Sequence, residues 1–397
     1  MAANEEAAAL HSPVPQHGHM LPVGCAIGPA EQHRCAPELP TKIPSLDGLR
    51  AVAIGLVILA HGAHTWGAPR FLAPLAHVGN LGVRIFFVIS GFLITTLLLR
   101  ELDAHHEVSL KNFYARRSLR ILPAFFIYVA AIQMLSVFGM VDNPHGDTVR
   151  ALTFTMDYRD DKSWPLNHLW SLSVEEQFYL LWGVLFLVAS QPRVRLAVVV
   201  LAMVPLGVRS AYLFGLLTSK NAVAPARQFE CLVDALAMGA LLSVFFNTLM
   251  STRRIAEFAR SPLSLALGAA LTLAAVASYL IDTRLYDSMG QTVANIGITL
   301  ILWNCVTASG GWVRGSLNWR PIAYIGVLSY SLYLWQQLFL DPISRSFFAR
   351  FPVNIAFAFC AAFVSYYAIE RPFLHARRYF RSRAQQRAPQ DEAVSSG

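Results

Sequence analysis

The chain has 397 residues, of which 55% are hydrophobic and only 14% are charged. A soluble domain of this length needs many more charges on its surface, so the composition excludes a soluble protein and indicates a polytopic membrane protein. The net charge of +8 would suit nucleic-acid binding. The basic residues are instead distributed as membrane topology requires, and we expect no nucleic-acid partner.

The two ends of the chain have the composition of disordered tails. Residues 1–42 are rich in Ala, His, Pro and Glu and lack the basic and apolar regions of a cleavable signal peptide. Residues 376–397 are basic and too few to form a second soluble domain. We therefore expect one membrane domain, at residues 43–375, between two disordered tails.

Ten apolar stretches of this domain are long enough to cross a bilayer as helices. They predict an all-α fold with about ten transmembrane helices, at residues 46–65, 78–99, 119–140, 172–190, 195–214, 230–248, 262–281, 291–309, 321–340 and 353–370. In the second stretch, Ser90-Gly91 predicts a close contact with another helix. The ninth stretch is weak because it contains Gln336 and Gln337.

The distribution of Lys and Arg predicts the orientation of these helices. With the N-terminus in the cytoplasm, the cytoplasmic segments hold about twice as many basic residues as the outer loops. The longest outer loop, residues 141–171, carries five aspartates, which suits an exterior loop. We expect both termini in the cytoplasm and the protein in the cytoplasmic (inner) membrane.

The first stretch carries a polar stripe. Residues 43–62 begin with the helix-start signal Pro44-Ser45 and hold Arg50 near one end and His61 near the other. Their spacing returns Arg50 and His61 to nearly the same helix face, about 16 Å apart along the axis. Ionisable side chains inside a membrane helix are costly and are by default functional. The alternative is a polar stripe that packs between helices.

Metal binding is not expected from this sequence. The five cysteines show neither a disulfide framework nor a zinc spacing; they are Cys25, Cys35, Cys231, Cys305 and Cys360. His64 follows His61 by three residues, but no HExxH motif accompanies the pair.

Six motifs follow one another along the chain: the Arg50–His61 pair, Phe86–Ile94, Arg117–Pro123, His168–Tyr179, Tyr330–Trp335 and Glu370–Pro372. Together, over roughly residues 43–375, they resemble the acyltransferase 3 family of integral-membrane acyltransferases. The resemblance implies transfer of an acyl group, usually acetyl from acetyl-CoA, to a hydroxyl of a sugar-containing acceptor. Envelope polysaccharides, glycolipids and secreted metabolites all fit as acceptors. Acyl-CoA is then a co-substrate, and no permanently bound cofactor is expected.

A cluster of three arginines is the expected donor site. Arg116, Arg117 and Arg120 lie at the predicted cytoplasmic end of the third span. Arg117 and Arg120, three residues apart, share a helix face and can form a two-pronged phosphate site. Coenzyme A carries a pyrophosphate and a 3′-phosphate, which guanidinium groups bind well. The alternative is an ordinary basic cytoplasmic flank.

His61 is the expected catalytic base. It lies toward the outer half of the first span, shares its stripe with Arg50, and could take the proton from the acceptor hydroxyl. A nearby carboxylate would orient the imidazole and stabilise its protonated form. The residues leave open which outer-side carboxylate does so, with Glu176 favoured; the candidates are Glu175, Glu176, Glu230 and Asp234.

Four residues are expected near the acceptor: His168, Trp170, Arg84 and Asp234. His168 either binds the acceptor or caps the fourth span, and Trp170 either lines a sugar site or is an interfacial anchor. Arg84 pairs with an outer acid, polarises the thioester oxygen or forms a buried structural ion pair. Asp234 shares a helix face with Glu230.

Other mechanisms and functions stay open at this point. The acyl group either passes directly from acyl-CoA to the acceptor or is relayed through an enzyme nucleophile, and the lack of a serine in a nucleophile elbow favours direct transfer. A transporter or flippase of a glycolipid or metabolite is the main alternative function, although no internal repeat with broken helices is visible. A sensor that has lost activity would be expected to have lost the polar stripe.

Overall fold

The polypeptide is helical throughout the part that the computed structural model describes, which is residues 43–158, 162–217 and 227–376. These residues belong to one unit, Leu39–Gly397, and they contain no strand. We label the long helices α1 (Pro44–Gly62), α2 (Gly79–His105), α3 (Leu110–Val137), α4 (Leu169–Val188), α5 (Gln191–Leu213), α6 (Phe229–Ser251), α7 (Pro262–Ile281), α8 (Gln291–Thr307), α9 (Arg320–Phe339) and α10 (Val353–Ser365).

Shorter helical segments connect or extend the long helices. Three are 3₁₀-helical: Arg70–Val78, Met156–Tyr158 and Phe347–Ala349. Two π-helical turns, Tyr286–Gly290 and Tyr366–Glu370, adjoin α8 and α10. The short α-helices are His145–Leu152, Trp164–Asn167, Arg253–Arg260, Thr283–Leu285, Trp312–Leu317 and Arg371–Ala376.

Each predicted span coincides with a long helix. Nine segments of the described chain have the length and hydropathy to cross a membrane, so the protein is a multi-pass integral membrane protein. The ninth predicted span forms α9, a helix of 20 residues that is not among these nine. Its glutamines, Gln336 and Gln337, are fully buried. The predicted tails lie outside the described residues, except that Ala376 ends the last helix.

The helices around the centre of the bundle approach one another closely. Helix α1 packs against α2 and α9, and α2 packs along α6. A Cβ atom at Gly91 of α2 would overlap the backbone carbonyl of Leu236, and one at Gly239 of α6 would overlap the carbonyl of Val88. The close contact predicted from Ser90-Gly91 is therefore confirmed, and it fixes the position of α2.

The connection between α3 and α4 is more buried than an exterior loop of solvated aspartates. Asp147 and Asp157 are both buried, and Asp147 accepts a 2.6 Å hydrogen bond from the Ser163 backbone. Asp157 accepts a 3.0 Å hydrogen bond from the Gln177 amide on α4. Desolvation raises the pKa of Asp157 to about 6, although that hydrogen bond opposes the shift.

The contact between α2 and α6 predicts a contrast between two glycine substitutions. Gly91→Ala should lower the melting temperature of the purified protein, because backbone atoms of α6 cannot yield to the added methyl group. Gly55→Ala on α1 is the matched control, since Gly55 has open space around it and alanine favours the helix by about 1 kcal/mol. A Gly91→Ala protein with the melting temperature of wild type would contradict the close contact between α2 and α6.

The buried Asp157 predicts a pH-dependent loss of stability. Its folded-state pKa, about 6, lies above the ordinary value of 3.8. As the pH rises from 4 to 6, the Asp157 carboxyl ionises in the unfolded chain, whereas in the folded protein it stays largely protonated. This group therefore lowers the free energy of unfolding over that interval, by up to about 3 kcal/mol.

Asp157→Asn removes this titration. In melting curves recorded from pH 4 to 7.5, the variant should gain stability relative to wild type as the pH rises. A constant difference between the two proteins across that range would show that Asp157 does not titrate in this way.

Candidate active site

A cavity of about 330 Å³ lies between α1, α2, α3, α4 and α9. Its lining follows α2 from Val83 to Arg100, which corresponds to about 25 Å along the helix axis. The charged residues of its wall are five arginines and one carboxylate: Arg50, Arg100, Arg116, Arg117, Arg120 and Glu175. We call the end that holds the arginines the arginine end. The other end is formed by aromatic and hydroxyl side chains: Phe86, Phe87, Ser171 and Tyr333.

Two carboxylates and a tyrosine surround Arg117. Its guanidinium lies 3.6 Å from a Glu175 oxygen and 3.3 Å from a Glu176 oxygen, and its central carbon is 3.0 Å from the centroid of the Tyr179 ring. Ser90 also donates a 2.9 Å hydrogen bond to Glu175. The expectation that these acids lie beside His61 is therefore wrong. Both sit about two turns inside α4 and face the arginines.

Arg120 is held less firmly than its neighbours. Within the described chain it forms no ion pair, and the carboxylates that act on it, Glu175 and Glu370, do so at longer range. Glu370 is buried and accepts a 2.9 Å hydrogen bond from Ser331. Two other arginines of the wall are paired, in Arg50–Asp47 at 3.2 Å and Arg116–Glu101 at 2.7 Å. Arg120 therefore keeps its donors available to an anionic ligand.

Tyr333 closes the far end of the cavity. Its hydroxyl contacts the Ser171 hydroxyl and donates a 2.8 Å hydrogen bond to the carbonyl of His168. The His168 ring is buried between Tyr128 and Tyr333, at centroid distances of 5.5 and 5.3 Å. Neither of its ring nitrogens has a hydrogen-bond partner among the described residues, and the nearby Leu334 backbone misses hydrogen-bond geometry. His168 does not cap α4 through its side chain.

His61 is held by an amide. Its Nδ1 lies 2.8 Å from Oε1 of Gln336, and its ring meets Trp164 edge-on at 5.5 Å. Gln336 donates through Nε2 to the Gln337 side chain at 3.2 Å. Gln337 and Trp164 then exchange two hydrogen bonds, each of 2.9 Å, through their side chains and backbone carbonyls. The position of the imidazole is thus fixed by a chain of buried amides on α9.

This chain of hydrogen bonds assigns the tautomer of His61. Because Gln337 uses the NH₂ group of Gln336, the Gln336 oxygen faces His61, and Nδ1 carries the proton. Nε2 is then the unprotonated nitrogen, with a lone pair available as a base. The partner of the imidazole is therefore a neutral amide, where a carboxylate was expected.

Arg50 and His61 occupy different parts of this arrangement. Arg50 lines the cavity at the arginine end, whereas His61 lies past the far end of the cavity. One turn of α9, about 5 Å, separates Tyr333, which lines the cavity, from Gln336, which binds His61. A single helix turn thus connects the cavity with His61.

Arg84 and Asp234 belong to buried polar networks away from His61. Arg84 donates to the amide oxygens of Asn295, at 3.1 Å, and Gln291, so its hydrogen-bond partners are amides where an acid was expected. Asp234 forms a fully buried ion pair with Arg209 at 2.8 Å. The geometry of Asp234 therefore indicates a structural role. Glu230, the remaining candidate carboxylate, accepts a 3.0 Å hydrogen bond from Tyr158.

Trp170 is buried, so its face is not an open platform for a sugar. Its ring meets Phe87 edge-on at 6.2 Å. The guanidinium of Arg227 lies over it at 5.7 Å. Trp170 thus supports an arginine that the sequence did not single out.

Several residues of the site were not singled out from the sequence as site residues: Ser171, Arg227, Gln336 and Glu370. Gln336 left a usable signal, since a buried amide in an apolar helix needs a polar partner, but it was read as a weakness of the span. Arg227 lies between spans and left none. Among the described residues, no cluster of three or more His, Cys, Asp or Glu could hold a metal ion.

Comparison with known proteins identifies similar chains. A family model described as an acyltransferase domain, that of acyltransferase 3, matches residues 43–371. The peptidoglycan O-acetyltransferase OatA of Listeria monocytogenes is 29% identical over 364 residues, which cover 83% of this chain and 55% of that protein. A Bacillus subtilis protein is 28% identical over 361 residues, covering 83% of this chain and 54% of its own length; its name gives the same activity as a provisional assignment.

The chain therefore spans about half the length of these curated relatives. No solved structure matches it.

Proposed function

This chain belongs to the acyltransferase 3 family, and we propose that it transfers an acetyl group from acetyl-CoA to a hydroxyl of a cell-envelope sugar. The relatives named as peptidoglycan O-acetyltransferases support a glycan acceptor. The observation that carries the proposal is the cavity with five arginines at one end and the His61 network one helix turn beyond the other end.

The donor enters this cavity at the arginine end, which we place on the cytoplasmic side. Arg120, supported by its paired neighbours, binds the phosphates of coenzyme A. The pantetheine arm then follows α2 along the apolar wall, and the thioester reaches Ser171 and Tyr333. Tyr333 donates to the His168 carbonyl, so of the two hydroxyls at the cavity end it is Ser171 that can turn its proton to the thioester oxygen, where negative charge develops during attack.

Transfer proceeds directly to the acceptor. The acceptor hydroxyl gives its proton to Nε2 of His61 while its oxygen attacks the thioester carbonyl carbon. The tetrahedral intermediate then expels the thiolate of coenzyme A, which takes the proton back from His61. Ser171 supports direct transfer over a relay, because its hydroxyl is bonded to Tyr333 and the His168 carbonyl rather than to a base.

The donor site predicts different outcomes for its two central arginines. Arg120→Ala should raise the KM for acetyl-CoA about 10- to 100-fold, because each charge-assisted phosphate contact contributes on the order of 1.5–3 kcal/mol. Its thermal stability should remain close to that of wild type, since Arg120 has no ion-pair partner to strand within the described chain. Steady-state transfer assays at varied acetyl-CoA concentration measure the change.

Arg117→Ala is the matched comparison. It leaves two partly buried carboxylates without their cation and should lower the melting temperature. Arg120→Lys keeps the positive charge but loses the planar geometry of the guanidinium. It should therefore recover only part of the acetyl-CoA affinity that Arg120→Ala loses. If the Arg120→Ala protein saturates with acetyl-CoA at wild-type concentrations, Arg120 does not bind the donor.

The proposed role of His61 as general base predicts that its substitution causes the largest loss of transfer rate. Removal of a general base typically costs about 10²–10⁴-fold, so His61→Ala should abolish measurable transfer while the protein still inserts and folds. His61→Gln should fail equally, because glutamine forms hydrogen bonds but accepts no proton at neutral pH. A His61→Gln enzyme within a few-fold of wild-type kcat/KM would exclude the base assignment.

Gln336 supplies a second arm of this experiment. Gln336→Glu places a carboxylate against Nδ1, which stabilises the protonated imidazole. The acid limb of the kcat/KM profile should therefore move to higher pH. Gln336→Ala should lower the rate without that shift. If Gln336→Glu leaves the pH profile of a folded, active enzyme unchanged, the titration of His61 does not govern the rate.

A further inference from the structure

A second, smaller cavity lies on the side of Phe87 away from the donor, where α2, α4 and α8 come together. Its volume is about 50 Å³, and its wall includes Arg84, Trp170, Arg227 and Asp287. Val83 and Phe87 line both cavities, so the two are separated by one layer of side chains. Neither the donor nor His61 occupies this cavity in the proposed transfer reaction.

Arg227 is a partly buried cation with most of its donors unused. One of its Nη atoms donates to Asn167 at 3.2 Å, and its guanidinium lies over the Trp170 ring. Within the described chain no carboxylate forms an ion pair with it. Desolvation lowers the pKa of Arg227 from its ordinary value, but a guanidinium remains charged at neutral pH. A desolvated charge of this kind is costly unless an anion pairs with it.

The charges of the small cavity leave a positive excess. Arg84 and Arg227 contribute two positive charges, and Asp287 contributes one negative charge. The carboxylate of Asp287 accepts a 3.1 Å hydrogen bond from Gln291, and the arginines that act on it are Arg84 and Arg209. Asp287 therefore does not compensate Arg227.

Arg227 also lies close to the proposed chemistry. Its charge acts on both His61 and Tyr333, so it lies within electrostatic range of both. Asn167, its hydrogen-bond partner, is next to His168, and Trp170 follows one turn later. The guanidinium is thus held by Asn167 at the end of the short helix Trp164–Asn167 and by Trp170 in the first turn of α4, with its remaining N–H groups free to bind an anion in a bidentate manner.

We propose that Arg227 binds an anionic group of the acceptor, a carboxylate or a phosphate on the sugar, and so positions the reacting hydroxyl at Nε2 of His61. This inference rests on the proposed function, since it specifies the class of acceptor for the same site. The occupant is the acceptor rather than a membrane lipid, because the guanidinium lines a cavity between the helices and lies over the buried Trp170.

A matched pair of sugars tests this inference on the full chain in nanodiscs of neutral phosphatidylcholine. N-Acetylmuramic acid carries a carboxylate that N-acetylglucosamine lacks, and the two are otherwise closely similar. Thermal unfolding at a series of concentrations gives an apparent dissociation constant for each sugar. The acid should bind about tenfold or more tightly than the neutral sugar, which is the ratio expected from one charge-assisted contact.

Three variants test whether Arg227 is responsible for the preference for the acidic sugar. R227Q should abolish it, and R227K should retain part of it, because the charge remains and the planar fork is lost. R284Q is the control, since Arg284 is an exposed arginine at the same end of the bundle that does not line the cavity. R284Q should keep the wild-type preference.

Three results would overturn the inference. The first is equal binding of the two sugars by the wild-type protein, and the second is a preference for the acid that survives in R227Q. The third is a stabilisation by anionic phosphatidylglycerol nanodiscs that requires Arg227, which would assign the guanidinium to a lipid phosphate. Stabilisation of the wild-type protein by acetyl-CoA reports the donor cavity separately. If that stabilisation persists without any preference for the acid, the acceptor inference fails while the proposed function stands.

Discussion

Burial of charge in an apolar helical bundle is the constraint on which this structure depends. Each charged side chain inside the bundle must find an opposite charge, an amide or a ligand, because an isolated charge there is strongly disfavoured. Arg209 meets Asp234, Arg117 meets Glu175 and Glu176, and Arg84 meets two amides. The first two join consecutive long helices, α5 to α6 and α3 to α4, and the third joins α2 to α8, far away in sequence. Much of the polar interior therefore has a structural role.

The same constraint separates the arginines that are paired within the bundle from the two for which we propose a ligand. Arg120 and Arg227 lack ion pairs in the described part of the chain, and each lines a cavity. They lie on opposite sides of the layer formed by Val83 and Phe87, which line both cavities. A phosphorylated donor and an anionic acceptor would thus be held apart by protein and would meet only at the base.

Local sequence determined much of this protein. Long apolar stretches located the helices, because a membrane-spanning helix satisfies its own backbone and needs only length and hydropathy. The Gly91 contact followed from residue size, and the family resemblance followed from six ordered motifs. The pattern also selected Arg120 and His61 as unusual, since an ionisable residue in such a helix stands out without knowledge of its neighbours.

Only the tertiary structure decided which residues face one another. Glu176 was expected beside His61 and lies against Arg117, because helix rotation and depth, which hydropathy does not encode, set what each side chain meets. The partner of His61 is Gln336, which lies 275 residues away along the chain. Arg227 lies outside the spans, and its importance depends on where α4 and α6 bring it. Composition and periodicity thus determined the helices, whereas the pairing of buried polar groups across the bundle determined the site.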